Sequence, residues 1–111
     1  MNSTIGITED LIGQCKAGSQ SAYNQVYTNC AKGVYSSILR IVRNREEAED
    51  LLQDSFISAF QSIHSFRGDA SLFGWIKRIG VNKALNSVKK KALQFSDVEV
   101  EDIELEQEES N

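Results

Sequence analysis

Residues 43–91, RNREEAEDLLQDSFISAFQSIHSFRGDASLFGWIKRIGVNKALNSVKKK, decide how the chain is read. Asn44 followed three residues later by Glu47 resembles a capping box, in which each residue's side chain satisfies the other's backbone N–H. Beyond it, Ala48, Leu51, Leu52, Ser55, Phe56, Ala59, Phe60 and Ile63 fall on one face at helical spacing, which predicts a helix to about Ile63. His64 to Ala70, with Gly68 and Asp69, reads as a loop. Asp69 or Ser71 is placed to cap a further helix from Leu72 to about Leu93. Along that helix Leu72, Trp75, Ile76 and Ile79 lie on one side, whereas Val81, Ala84, Leu85 and Val88 lie nearly opposite. The helix is therefore expected to bury different sides at its two ends, or to bend near Gly80.

Working outward, the upstream segment extends the same pattern. Thr8 precedes a short stripe of Leu11, Ile12 and Cys15 that Gly18 ends. Ser19 then caps a long helix whose apolar pairs run Ala22/Tyr23, Val26/Tyr27, Cys30/Ala31, Val34/Tyr35, Ile38/Leu39 and Ile41/Val42. The chain contains no proline, and glycine stands mostly at segment edges, so long helices can run unbroken. Downstream, DVEVEDIELE alternates like a strand, but its apolar members are few and its acids cannot pair with one another, so a linker is expected. The fold class is all-α: a compact bundle of about four helices over residues 1–95, followed at 96–111 by an acidic, disordered linker.

The chain has 111 residues, 41% hydrophobic and 25% charged, which fits one small folded domain. Its net charge of −4 conceals a split: residues 1–95 hold all 12 basic groups against 8 acids, net +4, and the last sixteen residues carry −8. No apolar run spans a bilayer, and MNSTIGITED has neither the basic start nor the apolar stretch of a signal peptide. Cys15 and Cys30 fit no zinc spacing and read as reduced core thiols of a cytoplasmic protein. With His64 the single histidine and no glycine-rich phosphate loop, neither an enzyme nor a cofactor or metal site is expected.

Two faces exceed what a plain bundle needs. Asp50, Gln53, Asp54, Ile57 and Gln61 share a stripe opposite the apolar face of the third helix. It reads either as a solvated face or as acids around an aliphatic anchor, suited to a partner's basic helix. On the fourth helix, Trp75, Ile79, Asn82, Lys83, Asn86, Lys89 and Lys90 share one sector, and residues 77–91 contain six basic groups and no acid. Trp75 alone would suit a core and the lysines alone a solvated helix end. Together with Phe66-Arg67-Gly68-Asp69 they favour nucleic acid: cations for phosphates, amides and aromatics for bases.

The quoted stretch resembles region 2 of a bacterial sigma factor of the sigma-70 family, extracytoplasmic-function (ECF) group. The resemblance rests on AEDLLQDSF (Ala48 to Phe56), Phe66 with Gly68, Phe73, and Trp75-Ile76-x-Arg78-Ile79-x-x-Asn82. Ser21, Ala22, Tyr23, Val26 and Tyr27 fit the group's usual opening, so residues 8–93 are covered. It implies that Asp50, Gln53, Asp54 and Ile57 dock on the clamp helices of the RNA polymerase β′ subunit. It implies that the loop Arg67, Gly68, Asp69 to Ser71 captures an extruded non-template base of the minus-ten promoter element. Arg78, Val81, Asn82 and Asn86 match a recognition face beside Trp75, with Lys77, Lys83, Lys89 and Lys90 on phosphates. An anti-sigma factor, common in the group, would cover the same two helices.

The sequence departs from the family at Gly80-Val81, where Ala followed by Arg or another polar residue is usual. It also shows nothing after Phe95 able to form the helix-turn-helix domain that reads the minus-thirty-five element, so the chain is expected to be a region 2 portion of a longer protein. The rival readings are a helical protein-binding adaptor and an autonomous duplex-DNA-binding regulator.

Overall fold

Each helix begins at a side chain that accepts a hydrogen bond from its first turn. Thr8 Oγ1 accepts from Leu11 N at 3.1 Å, Ser19 Oγ from Ala22 N at 3.2 Å and Asn44 Oδ1 from Glu47 N at 2.8 Å. Ser71, rather than Asp69, opens the last helix by accepting from Gly74 N at 3.0 Å. Caps of this kind contribute about 1 kcal/mol each. The computed structural model describes residues 7–95. It comprises α1 (Glu9–Lys16), α2 (Gln20–Val42), α3 (Arg45–Gln61) and α4 (Leu72–Phe95), with no strand among the described residues. Residues 96–111, read above as a linker, lie outside them.

The turns follow equally local rules. Gly18, at φ 89°, closes α1: its N–H bonds to Cys15 O and the N–H of Ser19 to Gln14 O, the paired pattern that satisfies a helix's last carbonyls. At the end of α3 the sequence pattern overshoots. The helix stops at Gln61 instead of Ile63, and Ile63–Ser65 tightens into a single 3₁₀ turn. The serines cause this: Ser62 Oγ donates to Ser58 O at 2.8 Å and Ser65 Oγ to Ser62 O at 2.7 Å, competing with helical continuation. The tighter turn still buries Ile63 and delivers Phe66 to the core.

The core is organised around α2. Ala22, Val26, Cys30, Val34 and Ile38, spaced by four, are fully buried. They meet Ala48, Leu52, Phe56 and Ala59 of α3, and Leu72, Ile76 and Ala84 of α4. Ser55, the one buried polar side chain among the described residues, donates to Leu51 O at 2.6 Å and so leaves no orphaned hydroxyl. Cys15 and Cys30 are free and buried, and burial raises both thiols, Cys30 to about 11.

The expected change of face along α4 does not occur. The helix is continuous, and Leu72, Ile76, Gly80 and Ala84 form one buried row. Gly80 belongs to that row because α4 lies too close to its neighbours for a side chain. A Cβ there would sit 3.1 Å from Val34 Cγ1 and Ile38 Cδ1 and 3.3 Å from Ser55 Oγ. Gly33 does the same from α2, where a Cβ would come within 2.7 Å of the Phe73 ring. With the inner row filled this way, Leu85 and Val88 stay 38% and 41% exposed.

The capping box forms only by half. Glu47 donates its N–H to Asn44, but its carboxylate accepts from Ser87 and Lys91 on α4. The Lys91 hydrogen bond, then that of Ser87, holds the Glu47 carboxyl below the usual range.

Three outcomes are expected. Gly80→Leu should destabilise the bundle by about 1–3 kcal/mol in urea unfolding, through overpacking against Val34 and Ile38. Glu47→Gln should lower stability at neutral pH by up to about 1 kcal/mol, since its partner Lys91 is half exposed. A carboxyl depressed in the folded state stabilises above its unfolded pKa, and that contribution is lost as pH falls through the folded value. The two unfolding curves should therefore converge below about pH 4. An alkylating reagent at pH 8 should leave both cysteines unmodified in the native protein and label both in guanidinium.

Candidate nucleic-acid and protein interface

The outer stripe of α3 is exposed as its spacing predicts: Asp50, Gln53, Asp54 and Gln61 face solvent, and Ile57 is 54% exposed among them. Beside this stripe runs a feature that the sequence reading missed. A cavity of about 380 Å³ opens between α2 and α3, lined by Tyr23, Tyr27, Phe56 and Phe60, with Gln53 and Ile57 at its edge. Tyr23 stacks on Phe60 with ring centroids 4.2 Å apart, and Tyr27 meets Phe56 edge-on at 4.8 Å. Aromatics four residues apart on both helices were the signal available for it. Which pairs face one another is a matter of tertiary register. The result is an aromatic groove continuous with the apolar anchor at Ile57.

The loop after α3 stands on a buried base. Phe66 is 6% exposed and packs against Trp75, with centroids 5.3 Å apart. Trp75 is half-buried beneath the loop, so it belongs partly to the core and partly to the surface. Arg67, Gly68, Asp69 and Ser71 are exposed, and Gly68 takes φ 85°, a left-handed conformation that suits glycine. The hydroxyl of Ser71 is already engaged as the α4 cap. From the other side, Lys16 Nζ of α1 donates to Phe66 O at 3.0 Å.

On α4 the sector read as one surface divides. Lys83 turns toward α3 and pairs with Asp54 at 3.0 Å, and Lys91 pairs with Glu47. Two of the six basic groups thus neutralise α3 carboxylates, while Lys77, Arg78, Asn86 and Lys90 are exposed. Val81, Asn82 and Lys89 are partly exposed. The Asp54–Lys83 pair joins two surfaces that the sequence presents as separate: the acidic stripe of α3 and the basic side of α4 abut along this edge. Chemically the surface offers cations, amides, an aromatic base beneath a glycine loop and an apolar anchor, a set suited to binding phosphates, bases and a helix. Among the described residues no helix is long and apolar enough to cross a membrane.

Comparison with known proteins agrees with this architecture. The sequence profile of sigma-70 region 2 matches residues 26–94. The RNA polymerase sigma-H factor of Pseudomonas aeruginosa is 30% identical over 98 residues, 86% of this chain and 51% of that protein. The ECF RNA polymerase sigma-E factor of Haemophilus influenzae is 36% identical over 76 residues, 68% of this chain and 40% of that protein. The protein of the same name from Escherichia coli K12 is 32% identical over 100 residues, 90% of this chain and 52% of that protein. The chain thus spans about half the length of the relatives it matches. No solved structure matches it significantly. On the profile match and these relatives, the chain belongs to the sigma-70 region 2 family, in the form carried by the extracytoplasmic-function sigma factors.

Proposed function

We propose that this chain is the promoter-recognition and melting module of a sigma factor, acting in the cytoplasm as a non-enzymatic part of a complex with core RNA polymerase. The observation that carries the proposal is the occurrence, on one bundle, of an exposed acidic stripe with an aliphatic anchor beside a glycine loop and a basic, amide-bearing helix. Residues 1–95 serve as the module and 96–111 as an acidic linker. Asp50, Gln53, Asp54 and Ile57 dock on the β′ clamp helices, with Ile57 entering an apolar contact and the acids facing basic groups of the partner. Arg67, Gly68, Asp69 and Ser71 receive a base extruded from the non-template strand of the minus-ten element. Arg78, Val81, Asn82 and Asn86 line the edge of the melted segment beside Trp75, and Lys77, Lys83, Lys89 and Lys90 contact phosphates.

Strand opening needs no nucleotide hydrolysis on this scheme. Unstacking a base costs a few kcal/mol, which capture of its exposed edge and the polymerase contacts offset. An anti-sigma factor would act by covering the α3 and α4 faces together.

Asp50→Lys with Ile57→Glu tests docking and leaves the Asp54–Lys83 pair intact. Binding to a clamp-helix fragment should weaken at least tenfold, from loss of the apolar contact and reversal of one charge; unchanged affinity overturns the docking assignment. Replacing residues 67–70 with Gly and Ser while keeping the Ser71 cap should abolish preference for a minus-ten non-template oligonucleotide and leave the helical content unchanged. Retained preference would remove the loop from base capture. Oligonucleotide affinity should also fall with salt, with a slope near −0.7 per phosphate contacted. Tight duplex binding without polymerase would instead favour an autonomous regulator.

A further inference from the structure

The loop between α3 and α4 does not enclose its cavity alone. A space of about 270 Å³ lies between it and α1, walled by Glu9, Ile12, Gly13 and Lys16 on one side and by Phe66, Arg67 and Gly68 on the other. A second space of about 190 Å³ continues it toward Ser71, and it shares Glu9, Ile12, Phe66 and Gly68. The hydrogen bond from Lys16 Nζ to Phe66 O spans the junction. Phe66 is fixed on its inner side by Trp75, so this bond sets where the loop's first peptide stands relative to α1.

We infer that α1 forms the second wall of the base pocket, with Glu9 as the specificity-determining group and Lys16 as a positioning residue. This rests on the loop's proposed role in base capture. The pocket chemistry follows from its walls. Ile12 and Phe66 provide apolar surface for the faces of a planar ring. The Glu9 carboxylate is an acceptor without a proton to give, so it favours a base edge that presents an exocyclic amine. Arg67 lies on the opposite wall as a donor for ring nitrogens or carbonyls. Adenine, cytosine and guanine each offer an amine together with an acceptor. Thymine has no amine, and carbonyl oxygens flank its ring N–H, so they meet the carboxylate unfavourably. The occupant is therefore an unstacked amino-bearing base, and thymine is the base rejected.

The test uses the full chain at low salt with short oligothymidylates whose central base is adenine, cytosine, guanine or thymine. The wild type should bind the three amino-bearing strands about tenfold more tightly than the all-thymine strand, the discrimination of one good base-edge contact. Glu9→Gln, whose amide can both donate and accept, should collapse that ratio toward one. Lys16→Met should weaken all four strands alike, keep their ratio, and shift the fluorescence of Trp75, the chain's single tryptophan. Lys16→Arg should restore both. An unaltered ratio in Glu9→Gln overturns the specificity assignment, and unaltered affinity with unshifted Trp75 emission in Lys16→Met overturns the positioning role. If the wild type shows no base preference while the loop replacement described above also leaves binding unchanged, base capture itself fails and this inference with it. A wild-type preference that the loop replacement removes and Glu9→Gln does not would retain capture and reject the α1 wall.

Discussion

The contact between α2 and α4 governs the rest of the structure. Two helices approach closely only where side chains are absent, and here Gly33 accepts the Phe73 ring while Gly80 receives Val34 and Ile38. Glycine in a helix interior costs about 1 kcal/mol relative to alanine. That cost is offset because every residue of the inner rows then reaches the core: Val26, Val34, Ile38 and Ile76 have no exposed surface. The same closeness draws Ser87 and Lys91 to Glu47, and Lys83 to Asp54, so the position of α4 on α2 determines how α4 meets α3. The direction in which Arg78, Asn82 and Asn86 leave the bundle is a consequence of this packing.

Much of this was legible in the sequence, for a physical reason: caps and apolar rows are local. Thr8, Ser19 and Asn44 each accept from a backbone N–H three residues on, and the four-residue rows of α2 and α3 are read directly from spacing. What failed was α4. A periodicity argument weighs apolar side chains and treats glycine as a gap, so Val81, Leu85 and Val88 outvoted Gly80. In the folded protein the gap is a buried point of close approach, with Val34, Ile38 and Ser55 where a side chain would stand. The aromatic groove and the Lys16–Phe66 hydrogen bond were illegible for a different reason, since they join residues far apart in the chain, fifty positions for the latter. Spacing and charge marked the two candidate surfaces and family resemblance assigned them partners, but neither revealed that Asp54 and Lys83, assigned to different partners, hold one another.

The electrostatic division of the chain also takes on a finer grain. The split between a +4 helical part and a −8 tail describes the sequence, but within the helical part charge is again partitioned. Acids of α3 neutralise two of the lysines on the α4 side that faces them, while Lys77, Arg78 and Lys90 remain exposed. The outer side of α4 and the loop thereby keep a cluster of exposed cations and the outer stripe of α3 a cluster of exposed acids, while Lys32, Arg40, Arg43 and Arg45 carry exposed positive charge elsewhere on the bundle. A low overall charge is compatible with two opposite surfaces that select partners of opposite sign.

That arrangement limits what the bundle can do alone. Asp54 and Lys83 are both partly exposed, and a pair of this kind contributes at most about 1 kcal/mol. A partner that takes Asp54 therefore frees Lys83 for phosphate at small cost, coupling the two surfaces by no more than about fivefold. Extruding one base costs a few kcal/mol, which exceeds such coupling and must be met by contacts on both faces at once. On the proposed reading, dependence on polymerase follows from the architecture: the glycine loop sits at the end of α3, and the helix that docks is the helix that carries it. Holding α3 against a partner fixes the loop's origin in space, and capture of a base then requires only that the DNA be bent or opened to reach it.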